Sequence, residues 1–474
     1  MLNRLTLETV VEALTGVAPA GGPTPLRDAV IDSREASAGA IFFALKGEKA
    51  DGHDFVGQAF ERGARAAVVE RQPAGPWPVL DLRRPPPADA VPSPVCLRVD
   101  DVLRALQQAA RFWRSQLNLR VIGITGSVGK STTKEVAAEL LERRFRTLRN
   151  PGNLNNEIGL PLTVLRLTSE HAKAVLEMGF YVPGEIALLC DIARPHVGVV
   201  TNIGPVHLER AGSMEAIVAG KSELVEALPP APEGVAVLNY DDERVRSMAS
   251  CTRARVFTYG LSPEADLWAD AIEGLGLDGV RFALHHGREH EHIRVPMLGR
   301  HSVHTALRAA AVGLVEGLSW EEILAGLRTT HAQLRLVAVP GPGGAILLDD
   351  TYNAAPESTI AALNLLAELE GRRLAVLGDM LELGSYEEAG HRMVGARAAG
   401  VADEVVAVGP RARWIAEEAV RAGLPTGHVL HVETVAQAID ALRGKVGAGD
   451  VVLIKGSRGM RMDQIVDELA EGTS

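Results

Sequence analysis

The sequence predicts an α/β fold in three domains. Three observations carry that expectation. The chain has 474 residues, more than one ordinary core accommodates. Short apolar runs bounded by turn residues alternate with helical patterns, as in parallel sheets covered by helices on both faces. The pattern is interrupted by a Pro-rich stretch at residues 83–94 and restarts near residue 336. The expected divisions are 1–99, a small α/β domain; 100–332, a central parallel-sheet domain with a phosphate loop; and 333–474, a Rossmann-like domain.

In the first domain, residues 29–31, 40–44 and 66–69 read as strands. A helical pattern at 102–116 leads into the second. There, runs at 121–125, 174–177, 197–201 and 235–238 are apolar throughout, as strands buried on both faces are. In the third domain, strands are expected at 345–348, 373–377, 404–408 and 451–454. That domain lacks the GxGxxG fingerprint, so it is not read as dinucleotide-binding. No internal repeat is evident.

Composition narrows the function classes. Apolar residues make up 46%, which argues against disorder. A net charge of −11, with no Lys/Arg run, disfavours a nucleic-acid partner. No apolar segment is long enough to span a bilayer, and the first residues carry Glu8 and Glu12 where a signal core would be. Cys96, Cys190 and Cys251 are scattered and form no CxxC pair, which fits a reduced, cytoplasmic protein. Only eight of the 49 Lys and Arg residues are Lys. A retained Lys is a weak sign of a position needing a compact or deprotonable amine. Lys130, Lys221 and Lys455 sit in motif-like settings.

The most informative stretch is Gly123-Ile124-Thr125-Gly126-Ser127-Val128-Gly129-Lys130-Ser131-Thr132-Thr133. It reads as strand, glycine turn, Lys-Ser, then a helix from Lys134. Glycines let backbone N–H groups point at phosphate oxygens, Lys130 reaches β- and γ-phosphates, and the Ser131 hydroxyl can ligate Mg²⁺. The common GxxxxGK[ST] loop needs Gly at position 124, where this chain has Ile124. The turn is the shorter Gly126-x-x-Gly129-Lys130-Ser131.

Ligands of an open parallel sheet gather at the carboxyl ends of its strands. Glu177 ends one strand and His207 follows another by a short loop, so both are candidate metal ligands beside the phosphates. Each has an equally strong bland reading, a solvated carboxylate and a loop histidine. Lys221 falls inside an apolar helical stripe with Ile217, Leu224 and Val225. From the residues alone, snorkelling to the surface is favoured over an amine of lowered pKa that reacts with CO₂. The amide-rich loop with Asn153, Asn155 and Asn156 is either a set of turns or a second-substrate loop. Asp349-Asp350 at a strand end reads as a ribose or metal contact, or as a helix start. Lys455-Gly456-Ser457-Arg458 suits a carboxylate or phosphate.

Together these pieces resemble the Mur ligases of peptidoglycan synthesis, and within them the branch that adds a dipeptide. The resemblance covers nearly the whole chain. Asp32-Ser33-Arg34, Phe42 through Glu48 and Asp51-Gly52-His53 are similar to the uridine-nucleotide domain. The shortened phosphate loop matches the family's. Asp349-Asp350-x-Tyr352-Asn353-Ala354-x-Pro356, Gly378-Asp379-Met380 and Lys455-Gly456-Ser457-Arg458 are similar to the C-terminal set. Lys221 falls on the lysine that the family carbamylates, which reverses the snorkelling preference. Some positions depart from the pattern. Gly179-Phe180-Tyr181 stands for Gly-Ala-Asn, Ser302 and Thr305 stand for two adenine-site Asn, Ala355 for Asn, and Leu334 for Gly before Arg335.

The resemblance implies an ATP-dependent ligase. ATP would phosphorylate the terminal carboxylate of UDP-MurNAc-tripeptide, and the amine of D-alanyl-D-alanine would attack the acyl phosphate. It implies ATP contacts at Gly126, Ser127, Val128, Gly129, Lys130, Ser131, Thr132, Arg335 and Asp350. UDP-substrate contacts fall on Ser33, Arg34, Lys46, Asn153, Asn155 and Asn156. Dipeptide contacts fall on Tyr352, Asn353, Lys455, Ser457 and Arg458. Two Mg²⁺ are expected on Ser131, Glu177, His207 and carbamylated Lys221, with Lys130, Glu177, His207 and Lys221 carrying the catalysis. A cytoplasmic monomer without nucleic-acid or membrane partners is expected. The rivals are a sister ligase adding diaminopimelate, lysine or glutamate, and a non-catalytic nucleotide-binding homologue. The Asp-Asn-Pro-Arg run of the diaminopimelate-adding enzyme is missing here.

Overall fold

A computed structural model describes residues 4–84, 90–330 and 336–470. Arg335 and the boundary expected at 332/333 lie outside the described residues. Three sheets organise the chain. The first has five parallel strands in the order Asp28–Val30, Ala40–Phe43, Ala66–Val69, Val95–Arg98, Val79–Asp81. The last two were not expected. Val79–Asp81 is three half-buried residues, too short to show a period, and Val95–Arg98 starts directly after the Pro-rich stretch.

The central sheet has nine strands. Its parallel part runs Thr147–Arg149, Lys173–Glu177, Arg120–Thr125, Val197–Val200, Val235–Asn239, Arg255–Gly260, Leu267–Gly274. Val280–His286 and Glu289–Val295 extend it antiparallel. The extension carries no uninterrupted apolar run because one of its faces is solvated. Glu289-His290-Glu291-His292 is polar at every position and mostly exposed. The C-terminal sheet runs Val337–Pro340, Ile346–Asp350, Asp450–Lys455, Arg372–Gly378, Glu404–Val408, Val429–Val432, parallel except at its first edge.

Packing sets where these sheets meet. Helix Val102–Ser115 shares one continuous core with the first sheet and one face of the central sheet, through Val102, Leu106, Ala109 and Trp113. Its buried Arg114 donates to the carbonyls of Ala193, Leu117 and Leu119, tying the helix to the central domain. On the opposite face, helices Lys130–Glu142 and Ser302–Val315 pack in a second core. Strand Arg120–Thr125 lies between Val197–Val200 and Lys173–Glu177, so three carboxyl ends converge at the phosphate loop. The C-terminal domain closes against this edge. Glu382 pairs with His207 and Arg210, and the Glu209 N–H donates to the Glu382 carbonyl at 3.3 Å. Among the described residues no helix is long and apolar enough to cross a membrane.

Candidate active site

The phosphate loop is built on two left-handed glycines. Gly126 has φ +137°, and a Cβ there would sit 1.9 Å from Thr201 Oγ1, so no other residue fits. Gly129 has φ +85° and starts the helix at Lys130, four residues before the expected start. The first turn of that helix therefore presents its N–H groups within the loop itself. The turn after strand Val197–Val200 buttresses it. Asn202 accepts from the Ser127 N–H through its carbonyl, at 2.9 Å, and from the Val128 N–H through Oδ1, at 2.8 Å. Thr201 Oγ1 donates to the Val128 carbonyl at 2.7 Å. Lys130 Nζ folds over the loop, donating to the carbonyls of Gly126 (2.7 Å) and Ser127 (3.2 Å).

Glu177 is 2% exposed. Its N–H donates to Asn150 Oδ1 at 2.9 Å, and its Oε1 accepts from Asn155 Nδ2 at 2.8 Å. Its Oε2 is buried without a hydrogen-bond partner. The amide-rich loop is thus wired to this carboxylate, and the fully buried Lys134 is the wire's anchor. Lys134 Nζ donates to the carbonyls of Asn150 (2.7 Å) and Gly152 (3.1 Å). In the sequence, Lys134 is marked only as a helix start. Its signal was its place among the few lysines. Lys134→Met is expected to cost about 2–4 kcal/mol in urea melts, because two carbonyls lose a buried cationic donor. An unchanged midpoint would dismiss this anchoring.

Lys221 does not snorkel. It is 2% exposed on helix Met214–Glu226, with Nζ 4.6 Å from the Phe180 ring centroid. Burial, and next the charge of Lys130, push its pKa well below the ordinary lysine value. Gly220 makes room for the ring, since a Cβ there would lie 2.0 Å from it. His207 adopts φ +59°, pairs through Nδ1 with Glu382, and meets the Tyr181 ring edge-on at 4.7 Å. Burial lowers its pKa, Glu382 opposes that, and Lys130 adds to it. Arg210 covers Tyr181 at 4.6 Å and joins Glu382 at 3.2 Å.

Two clefts flank the loop. One brings together Ser127, Lys130, Asn153, Asn155, Asn156, Glu177 and His207 with Tyr352, Asn353, Ser457 and Arg458 of the C-terminal domain. The other joins Ser127, Val128, Gly129, Thr132 and Asn202 to Ser302, Thr305, Asp350 and Lys455. Lys455 Nζ donates to Asp350 Oδ2 (2.6 Å) and to the Asn353 carbonyl (2.8 Å), so it shapes the wall of that cleft. Ser131 and Lys221 are buried and line neither cleft. Ser33, Arg34 and Lys46 line neither cleft. Ser33 donates to Gln58, Arg34 pairs with Asp32, and Lys46 is exposed.

Among the described residues, no group of three His, Cys, Asp or Glu is placed to hold a metal ion. Glu177 and His207 alone do not make a site. The orphaned Oε2 of Glu177 nonetheless fits a hard cation, and a carbamate on Lys221 would add the missing anionic oxygens.

The model of the Mur ligase family catalytic domain matches residues 29–114, that of the Mur ligase middle domain 124–313, and that of the glutamate ligase domain 334–458. The UDP-N-acetylmuramoyl-tripeptide–D-alanyl-D-alanine ligase of Bacillus subtilis is 36% identical over 99% of both chains. The crystal structure of MurF from Acinetobacter baumannii superposes with a TM-score of 0.82, at 31% identity, over 99% of both chains. MurF ligase from Thermotoga maritima, solved with ADP, gives 0.77 at 28% identity, over 96% of this chain and 97% of that one. The chain belongs to the Mur ligase family.

Proposed function

We propose that this protein is an ATP-dependent ligase that joins D-alanyl-D-alanine to UDP-MurNAc-tripeptide, completing the peptidoglycan precursor pentapeptide. The observation that carries the reading is the first cleft. It sets Lys130, an orphaned carboxylate oxygen and a wall of the C-terminal domain around one volume. The full-length relatedness to D-alanyl-D-alanine ligases of this family supports the substrates.

The chemistry must bring two anions together, the tripeptide carboxylate and the γ-phosphate of ATP. Lys130 screens their repulsion, and the N–H groups of the loop and of the helix starting there hold the phosphates. Ser131, Glu177, His207 and Lys221 as its carbamate would hold two Mg²⁺, whose chemistry is to neutralise phosphate charge. Asn153, Asn155 and Asn156 are assigned to the UDP substrate, with Ser33, Arg34 and Lys46 at its uridine end. Tyr352, Asn353, Ser457 and Arg458 receive the dipeptide, and Asp350 the ribose. Contact between Glu382 and His207 keeps the C-terminal domain over the cleft and excludes water, which would otherwise hydrolyse the acyl phosphate. The protein is proposed to act as a cytoplasmic monomer.

Phosphate release with UDP-MurNAc-tripeptide and D-alanyl-D-alanine tests this. The expected result is release that needs both, with the pentapeptide product detected by mass. Release dependent on another amine, or none with either substrate, would overturn it.

A further inference from the structure

The second cleft contains a cation to which the reading above gives no role. Arg308 lies on helix Ser302–Val315 and is 6% exposed. With His301, His304 and Thr305 it forms an i, i+3, i+4, i+7 stripe, and all four side chains line that cleft. Its Nη2 donates to Thr305 Oγ1 at 2.9 Å. The guanidinium also meets the Tyr259 hydroxyl, which itself donates to the Val200 and Thr201 carbonyls. Its Nε is buried and has no hydrogen-bond partner. Among the described residues it forms no ion pair.

A guanidinium cannot shed its proton to escape burial. Left without an anion in a dry site, it carries a desolvation cost that neutral hydroxyls only partly offset. Such a group calls for an anionic partner that arrives from outside the chain. Its position says where that anion sits. A Cβ on Gly129, the residue that starts the phosphate-loop helix, would lie 2.8 Å from Arg308 Nη2. Lys130 lines one cleft and Arg308 the other, so the two cations flank the loop.

We infer that Arg308 is a phosphate-binding residue for the nucleotide, reaching it from the helix Ser302–Val315 side of the loop. The inference rests on the nucleotide reading of this cleft. It predicts a selective effect, because a phosphate contact matters to ADP and not to adenosine. Calorimetry on the full-length chain would compare ADP and adenosine binding by wild type and Arg308→Met. The expected result is ADP affinity weakened about tenfold or more, with adenosine affinity changed by less than about twofold. The ligand-free variant should melt no lower than wild type, since an unpaired buried cation has been replaced by an apolar side chain of similar length. Equal losses for both ligands, or unchanged ADP affinity, would overturn the inference. If Arg308→Met does not fold, Arg308→Lys carries the same comparison, and only a loss confined to ADP supports the assignment. Wild type that binds no ADP would instead defeat the nucleotide reading itself.

Discussion

Lys130→Ala is expected to abolish ADP formation in the presence of both substrates, lowering kcat/KM by about 10³-fold or more. Two unit charges about 4 Å apart repel by about 4 kcal/mol in a surface-like dielectric, and the reaction must hold a carboxylate and a phosphate at about that separation. Lys130 is the flexible cation that lines the first cleft beside the loop, with Nζ within hydrogen-bond reach of the loop carbonyls of Gly126 and Ser127. Those two contacts are local, so the variant should keep a melting temperature close to wild type. Lys130→Arg is expected to recover little, because a planar fork does not replace a compact ammonium folded over a tight turn. Near-normal ADP release by the alanine variant, measured by a coupled assay, would remove Lys130 from the chemistry.

Lys221→Ala is the second large effect. It should be inactive, and short carboxylic acids added to the assay should restore part of the turnover by standing in for a carbamate. Full activity without rescue would defeat the carbamate. The direction of the pKa supports it, since only the neutral amine reacts with CO₂, and burial, with the charge of Lys130, shifts this amine toward its neutral form. The sign of the stability effect follows. In CO₂-free buffer, between the lowered folded value and the ordinary value of 10.5, the unfolded chain binds more proton at this site than the folded chain does. The unfolded state therefore holds more protons, and stability rises with pH toward 10.5. Lys221→Met should flatten that slope and raise the melting temperature at neutral pH. A steeper slope or a lower melting temperature would count against a neutral, unpaired amine.

The phosphate loop was legible because its constraints are local. Gly126 and Gly129 are demanded by φ values that other residues rarely adopt, and Lys130-Ser131 follow at fixed spacing. The four central parallel strands nearest the phosphate loop were legible because burial on both faces leaves an uninterrupted apolar run, whereas the short or part-exposed parallel strands such as Val79–Asp81 and Arg255–Gly260 were not. The antiparallel strands ending at Val295 were not, since alternation along a solvated face looks like loop. Lys134 and Asn202 were missed for a different reason. Their partners, at residues 150–152 and 127–128, are set by how loops from separate strands meet, and no local pattern records that.

Lys221 shows the same division within one residue. Its apolar stripe announced a buried helix face, but not whether a long side chain would reach water from it. Packing of the Phe180 ring into the space left by Gly220 closes that route. By itself, then, the sequence determined the fold class, the phosphate loop and the family resemblance, because glycine geometry, hydrophobic period and motif spacing act over a few neighbouring residues. Tertiary structure alone decided that Glu177 keeps an unpartnered oxygen, that His207 meets Glu382 across the domain interface, and that Arg308 lies buried against Gly129. Those facts depend on which distant groups share a low-dielectric space, and burial and charge pairing are properties of the packed chain.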